Sequence, residues 1–252
     1  MVACVAGFIE QANKLIFVRP IKTRYLPEVG DVVVGRVKEV GDKYWSIDIS
    51  AQLHGTLVLS AIHLPGGVHR RRTEEDALEM RTFFKEGDLI SAEIQSSKHD
   101  GGVFLQTRNL KYGKLINGMF VKVHSGLVKR TSKHFLSLSK DIGVDIILGN
   151  NGYIWISNTK TSEEMNKLMS FAKEYKDFTP FLADIPAQIR MNMCRLRNAL
   201  LILNQHFIQI SYKTIMSVYS YSLKNDIKVK DMLNANQLDL IQDALYIVQQ
   251  SL

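Results

Sequence analysis

Cysteine is almost missing from this chain of 252 residues: Cys4 and Cys194 are the only two, far apart and without metal-ligand spacing. That argues against a disulfide framework and against a zinc site, and makes a reducing compartment the expectation. No apolar run approaches the roughly 20 residues needed to cross a bilayer. Met1 to Phe8 is too short for a secretory signal and has no basic flank, so a soluble, intracellular protein without a membrane partner is expected. There is no P-loop, no metal-ligand cluster and no Ser-His-Asp arrangement in a telling context. Carboxylates grouped to hold paired metal ions, as nucleases need, are not recognisable either. No metal, cofactor or catalytic residue is expected, and the chain reads as a non-enzyme. What is present is an ordinary globular composition, 46% apolar and 23% charged, long enough for one to two domains. The formal net charge of +7 and a pI near 9.3 favour polyanionic partners such as RNA, because fixed Lys and Arg displace counterions from phosphates.

Three segments follow from the pattern. Residues 1–28 read as a short N-terminal arm, with one strand at Leu15-Ile16-Phe17-Val18 and breaks at Arg19-Pro20 and Leu26-Pro27; a docking arm and a strand that merely covers the next domain fit equally. Residues 29–110 read as a small β-barrel. Gly30-Asp31 launches a strand over Val32 to Val40, Gly41-Asp42-Lys43 turns it, and Tyr44 to Ile49 alternates with Trp45, Ile47 and Ile49 on one face. Gly55 to Leu59 is a third strand. After an inserted loop, Gly87-Asp88 repeats the launching turn for Leu89 to Gln95, and Asp100-Gly101-Gly102 leads into Val103 to Thr107. Five short strands with Gly-rich turns suit an OB-type barrel.

Residues 111–252 hold a G-x-x-G loop, Gly149-Asn150-Asn151-Gly152, between apolar runs, and then turn helical. A KH domain clamps nucleic acid with such a loop, using cations between the glycines and a helix start just after them. Here the intervening residues are asparagines and Tyr153-Ile154-Trp155-Ile156 spells strand. Gly149, Asn151 and Gly152 are therefore read as a structural turn. Thr161-Ser162-Glu163-Glu164 is a capping box opening a helix through Tyr175. Further helices are expected over 184–206, where Ile189, Met193, Leu196, Leu200 and Leu203 form an apolar stripe, over 212–223, and over 237–249. The fold class is α+β multidomain: arm, OB-fold barrel, then a KH-like α/β domain with C-terminal helices.

Gly35-x-Val37-x-x-Val40, Trp45-Ser46-Ile47-Asp48-Ile49 and His54-Gly55-x-Leu57-x-x-Ser60 resemble the S1-type RNA-binding domain. Continuing through Leu64-Pro65-Gly66-Gly67, the Arg70-Arg71-Arg72 run, Met80-Arg81-x-Phe83, Lys85-Glu86-Gly87-Asp88-Leu89, Thr107-Arg108-x-Leu110-Lys111-Tyr112-Gly113-Lys114-Leu115, Asn117-Gly118-Met119-Phe120 and Gly-x-Asn-Gly-Tyr-Ile-Trp, the chain resembles the eukaryotic RNA exosome cap subunits of the ribosomal RNA-processing protein four family. The resemblance implies a non-catalytic subunit of the nucleus, nucleolus included, and the cytoplasm. Its partners would be single-stranded RNA, a ring of RNase PH-like subunits and the other exosome cap subunits. The ring would be stabilised and RNA guided into its channel for 3'-5' processing and degradation.

OB barrels bind single strands across strands two and three and between the loops joining strands one to two and four to five. Those places hold Lys43, Tyr44, Trp45 and His54, with Lys98 and His99. Trp45 shares a face with Ile47 and Ile49, so packing the core competes with stacking on a base; Tyr44 points the other way. Arg70-Arg71-Arg72, at the end of a Gly-rich loop tip, would attract phosphates with little sequence preference or, balanced by Glu74-Glu75-Asp76, simply be solvated. Two other functions fit the modules: a free-standing RNA-binding regulator or ribosome-associated factor, and a fragment of an RNA-degrading enzyme of the polynucleotide phosphorylase kind. That last family places its KH module before its S1 module, the reverse of this order.

Overall fold

A computed structural model of the chain describes residues 7–20, 22–62, 74–108, 111–131, 133–138, 142–159 and 185–234, with 239, 241–242 and 245–246. The arm is a hairpin of β1 (Gly7–Ala12) and β2 (Leu15–Pro20), turned by Asn13 in a left-handed conformation. Pairing runs the full length of both strands, from Ala12 opposite Leu15 to Gly7 opposite Pro20. The break expected at Arg19-Pro20 thus falls at the end of the ladder. Pro20 is tolerated there because both strands of a two-stranded hairpin are edge strands, where a missing N–H can face away from the ladder.

The barrel is built from β3 (Val32–Val40), β4 (Tyr44–Asp48), β5 (Gly55–Ile62), β6 (Leu89–Ser97) and β7 (Val103–Thr107). Their order is β3-β4-β5-β7-β6, and β6 pairs back with β3 to close the ring. Every pairing is antiparallel except that of β5 with β7. Two short helices, α1 (Glu74–Leu78) and α2 (Met80–Phe83), lie between β5 and β6. Trp45, Ile47, Ile49, Leu57, Ile90, Ile94 and Leu105 fill the interior. The barrel curls tightly enough at Gly35 that any Cβ there would run into Ile47, with Asp48 O 3.1 Å away.

The sheet does not stop at residue 110. β8 (Gly113–Leu115) adds to the free edge of β6, Leu89 opposite Leu115, and Lys114 holds Asp88 at 2.7 Å. The barrel's sheet therefore takes in the first residues of the segment expected to belong to the second domain.

The KH-like part is a four-stranded antiparallel sheet of β9 (Gly118–Lys122), β10 (Phe135–Ser137), β11 (Val144–Leu148) and β12 (Tyr153–Asn158) in the order β10-β11-β12-β9. Helices α3 (Ala187–Gln205) and α4 (Tyr212–Lys224) follow. The expected stripe is the buried one: Met193, Leu196, Leu200 and Leu203 pack with Ile146, Ile154 and Ile156, and Ile189 lies at the margin. α4 starts at a capping box of Ser211 and Thr214. The helix expected from Thr161 lies outside the described residues, as does most of that expected over 237–249.

All six residues of β12 are buried, and its alternation is lost because both faces are covered. Ile154 and Ile156 face the helices, whereas Trp155, Tyr153, Ile147 and Phe120 pack with Val34, Leu89 and Leu115 of the barrel sheet. Val32, Val33 and Val34 read as continuously buried for the same reason. The two modules thus share a hydrophobic wall.

Candidate nucleic-acid interface

Period-two alternation decides what the outer barrel face presents. Tyr44 stands opposite Val58, Ser46 opposite Thr56, and Thr56 beside Phe104 across the parallel pairing. Tyr44 is 42% exposed, and its ring lies over Gly41, where a Cβ would come within 2.5 Å. At the other end of the face Lys98 donates to Thr56 Oγ1 at 2.8 Å and holds its ammonium 4.6 Å from the centre of the Phe104 ring. His54 and His99 are exposed in the loops beside that end, and Lys43 is exposed in the turn before Tyr44. Two residues of strand, about 7 Å, separate the Tyr44 level from the Thr56 level, so the face offers a ring at each end with a cation beside each.

Of the residues read from the sequence, the structure brings Tyr44, Lys43 and Lys98 onto or around this face, with His54 and His99 at its edge. Trp45 is a correction. It is fully buried, its indole N–H donates to Phe84 O at 2.9 Å, and its ring meets Phe84 edge-on at 5.4 Å. With its ring surrounded by protein and its donor used, Trp45 has no face for a base. Arg70, Arg71 and Arg72 lie outside the described residues. Phe104 and Thr56 were missed, although the alternation in Val103-Phe104-Leu105 that buries Val103 and Leu105 would have turned Phe104 outward.

The turn Gly149-Asn150-Asn151-Gly152 faces the barrel. Asn151 Nδ2 donates to Val34 O at 2.7 Å and Ile49 O at 2.9 Å, and its Oδ1 accepts from Val34 N at 3.4 Å. Asn150 donates through its backbone to Val32 O at 2.9 Å and through Nδ2 to Asp31 Oδ1 at 2.7 Å. A Cβ at Gly149 would sit 2.5 Å from Tyr153 O, and Gly152 has φ +80 with Val123 O and Ser125 N against it. Asp31 extends this junction: Tyr25 donates to its Oδ2 at 2.5 Å and Arg130 lies 3.4 Å from the same oxygen while also pairing with Glu28. Burial, with the Asp31 hydrogen bond and charge adding to it, pushes the Tyr25 hydroxyl far above the usual tyrosine range. Cations are absent from the turn, and both asparagine Nδ2 groups and Asn151 Oδ1 are spent on the neighbouring module, while Asn150 Oδ1 is buried without a hydrogen-bond partner.

A family model for the S1 domain of RRP4 matches residues 24–96, and one for the KH domain matches 118–162. The exosome complex component RRP4 of Mus musculus is 43% identical over 241 residues, covering 96% of this chain and 78% of that protein. The chain belongs to the RRP4 family. An RRP4 homolog of Arabidopsis thaliana is 38% identical, covering 93% of this chain and 74% of its own length. The RRP4 of Schizosaccharomyces pombe is 41% identical, covering 88% and 68%. Both domain matches fall on the modules described above, the S1 match on the barrel and the KH match on the sheet carrying the Gly149–Gly152 turn. Among the described residues no three His, Cys, Asp or Glu side chains converge as a metal site, and no helix is long and apolar enough to cross a membrane.

Proposed function

We propose that the chain is a non-catalytic RNA-binding cap subunit of the RNA exosome. It stabilises a ring of RNase PH-like subunits beside the other cap proteins and guides single-stranded RNA toward the channel for 3'-5' processing and degradation. Membership of the RRP4 family, whose named members are exosome complex components, carries this reading. The barrel face supports it: Tyr44 and Phe104 offer stacking surface, and Lys43 and Lys98 offer charge, without any side-chain set that would read base identity. The run Arg70, Arg71 and Arg72 adds positive charge suited to phosphates or to a protein neighbour. The nucleus, with the nucleolus, and the cytoplasm are the compartments that go with this role.

Affinity purification of the tagged full chain from cell extract tests it. Recovery of RNase PH-like ring subunits is expected. A monodisperse, partner-free chain that holds RNA tightly alone would replace this reading with the free-standing RNA-binding factor. RNA shortening by the purified chain, lost when one of its own acidic residues is changed, would overturn the non-catalytic assignment. In the assembled particle, replacing all three of Arg70, Arg71 and Arg72 by Ala should weaken RNA association and flatten its salt dependence.

A further inference from the structure

Away from the barrel face, cations and rings alternate along the seam between the modules. Arg36 on β3 lies over the ring of Phe120 at 6.0 Å, Phe120 meets Tyr153 edge-on at 5.0 Å, and Lys122 lies over Tyr153 at 5.6 Å. Two residues beyond Lys122, His124 stacks on Phe207 with ring centres 5.4 Å apart and planes 16° from parallel, and Lys22 lies over Phe207 at 5.1 Å. Arg36, Lys122 and Lys22 are exposed and have no carboxylate partner among the described residues. Asp48, across from Arg36, accepts from the Ser50 amide at 2.9 Å. Arg81, Arg108, Lys114 and Arg130, by contrast, are each in an ion pair.

Phe207 is held at a backbone cost. It follows the last turn of α3 with φ +55, where the Ile208 N–H reaches back to Leu203 O at 2.9 Å and its own N–H to Asn204 O at 3.3 Å. This helix-ending motif favours glycine at the left-handed position. The same motif after α4 uses Asp226, φ +48, a residue type that tolerates it. A bulky side chain there is an outlier, and such strain collects where a side chain is needed for a task. The ring it displays is 38% exposed. Its stacking partner is also fixed, because the His124 amide donates to Asn204 Oδ1 at 2.8 Å.

We propose that this seam is a second track for single-stranded RNA, with phosphates against Arg36 and Lys122 and a base taking the Phe207 face opposite His124, from which Lys22 swings away to meet the phosphate of that nucleotide. The proposal rests on the RNA-binding reading above but uses none of its barrel residues. RNA fits better than an acidic peptide, since carboxylates would engage the cations but gain nothing from an exposed Phe207 ring backed by half-buried His124, whereas bases stack on aromatic and histidine rings whatever their sequence.

The test uses the full chain and a labelled oligouridylate in fluorescence anisotropy at several salt concentrations. Phe207→Gly removes the ring while suiting the backbone, so it folds. A loss of about tenfold in affinity is expected, the scale of one stacked base. The double variant Lys22→Ala with Lys122→Ala should lower the salt slope by about 1.4, at about 0.7 per single-strand phosphate contact. If both leave affinity and slope unchanged while Tyr44→Ala with Lys98→Ala still weakens binding, the seam is overturned and the barrel reading stands. Unchanged RNA affinity with loss of co-purifying ring subunits would make the seam a protein contact and equally overturn it. Failure of the unaltered chain to bind RNA at all would bring down the RNA-binding reading and the seam with it.

Discussion

Asn151 joins the two modules through three buried hydrogen bonds. Its amide reaches the carbonyl of Val34 on β3 and that of Ile49 just past β4, and accepts from one barrel N–H, all buried. Asn151→Ala leaves those groups unpaired in the interior and should cost about 3 kcal/mol, given roughly 1 kcal/mol or more for each orphaned group; a lower urea midpoint with unchanged secondary structure checks it. Asn151→Asp should be worse, because a carboxylate would face two carbonyl oxygens. Phe207→Gly is the opposite kind of change: relief of the left-handed strain and the added freedom of glycine oppose each other. Thermal unfolding should stay within about 1 kcal/mol of the parent.

At the scale of elements, β8 ties the linker to β6 through side chains as well as backbone. Tyr112, just before it, donates to Glu93 Oε2 at 3.0 Å, and Arg108 holds the same carboxylate at 3.0 Å. Burial first, then the Glu93 hydrogen bond and charge, raise the Tyr112 hydroxyl from 10.0 to about 12. A raised folded value means the stabilisation is complete below the unfolded value and drains away as pH climbs from about 10 to about 12, where the unfolded chain holds fewer protons. Tyr112→Phe should therefore flatten the alkaline loss of stability across that window in denaturant titrations at stepped pH. At this scale the sequence was also most legible. The five barrel strands and the stripe of α3 stood out because alternation and helical spacing are local. β8, β9 and β10 did not: Gly113–Leu115 and Phe135–Ser137 have three residues each, too few to show a period, and β9 is only partly buried. Trp45 was put among the RNA contacts although its own alternation placed it with Ile47 and Ile49. The seam was illegible because Asn150 and Asp31 lie 119 residues apart, and no local pattern announces such a partnership.

For the molecule as a whole, the shared wall predicts that the two modules unfold together as one cooperative unit. The two tryptophans report on it separately, Trp45 from the barrel core and Trp155 from the seam. In the variants Trp45→Phe and Trp155→Phe, the remaining fluorophore should lose its native signal at the same urea concentration as the far-ultraviolet circular dichroism. Two separated midpoints would mean that the modules melt independently. Gly152→Ala, with its Cβ against the Val123 carbonyl and its backbone at φ +80, should lower both midpoints together, for a loss of stability of at least about 2 kcal/mol.

A sheet sandwiched between helices and a neighbouring barrel cannot be excised cleanly. Expressing the chain from Asn117 onward would strip the cover from Phe120, Phe135, Ile147 and Trp155 and bare a broad band of rings to water, the kind of patch that recruits other copies. Such a fragment is destined for inclusion bodies, so module-swapping experiments with relatives should exchange the barrel and its sheet together.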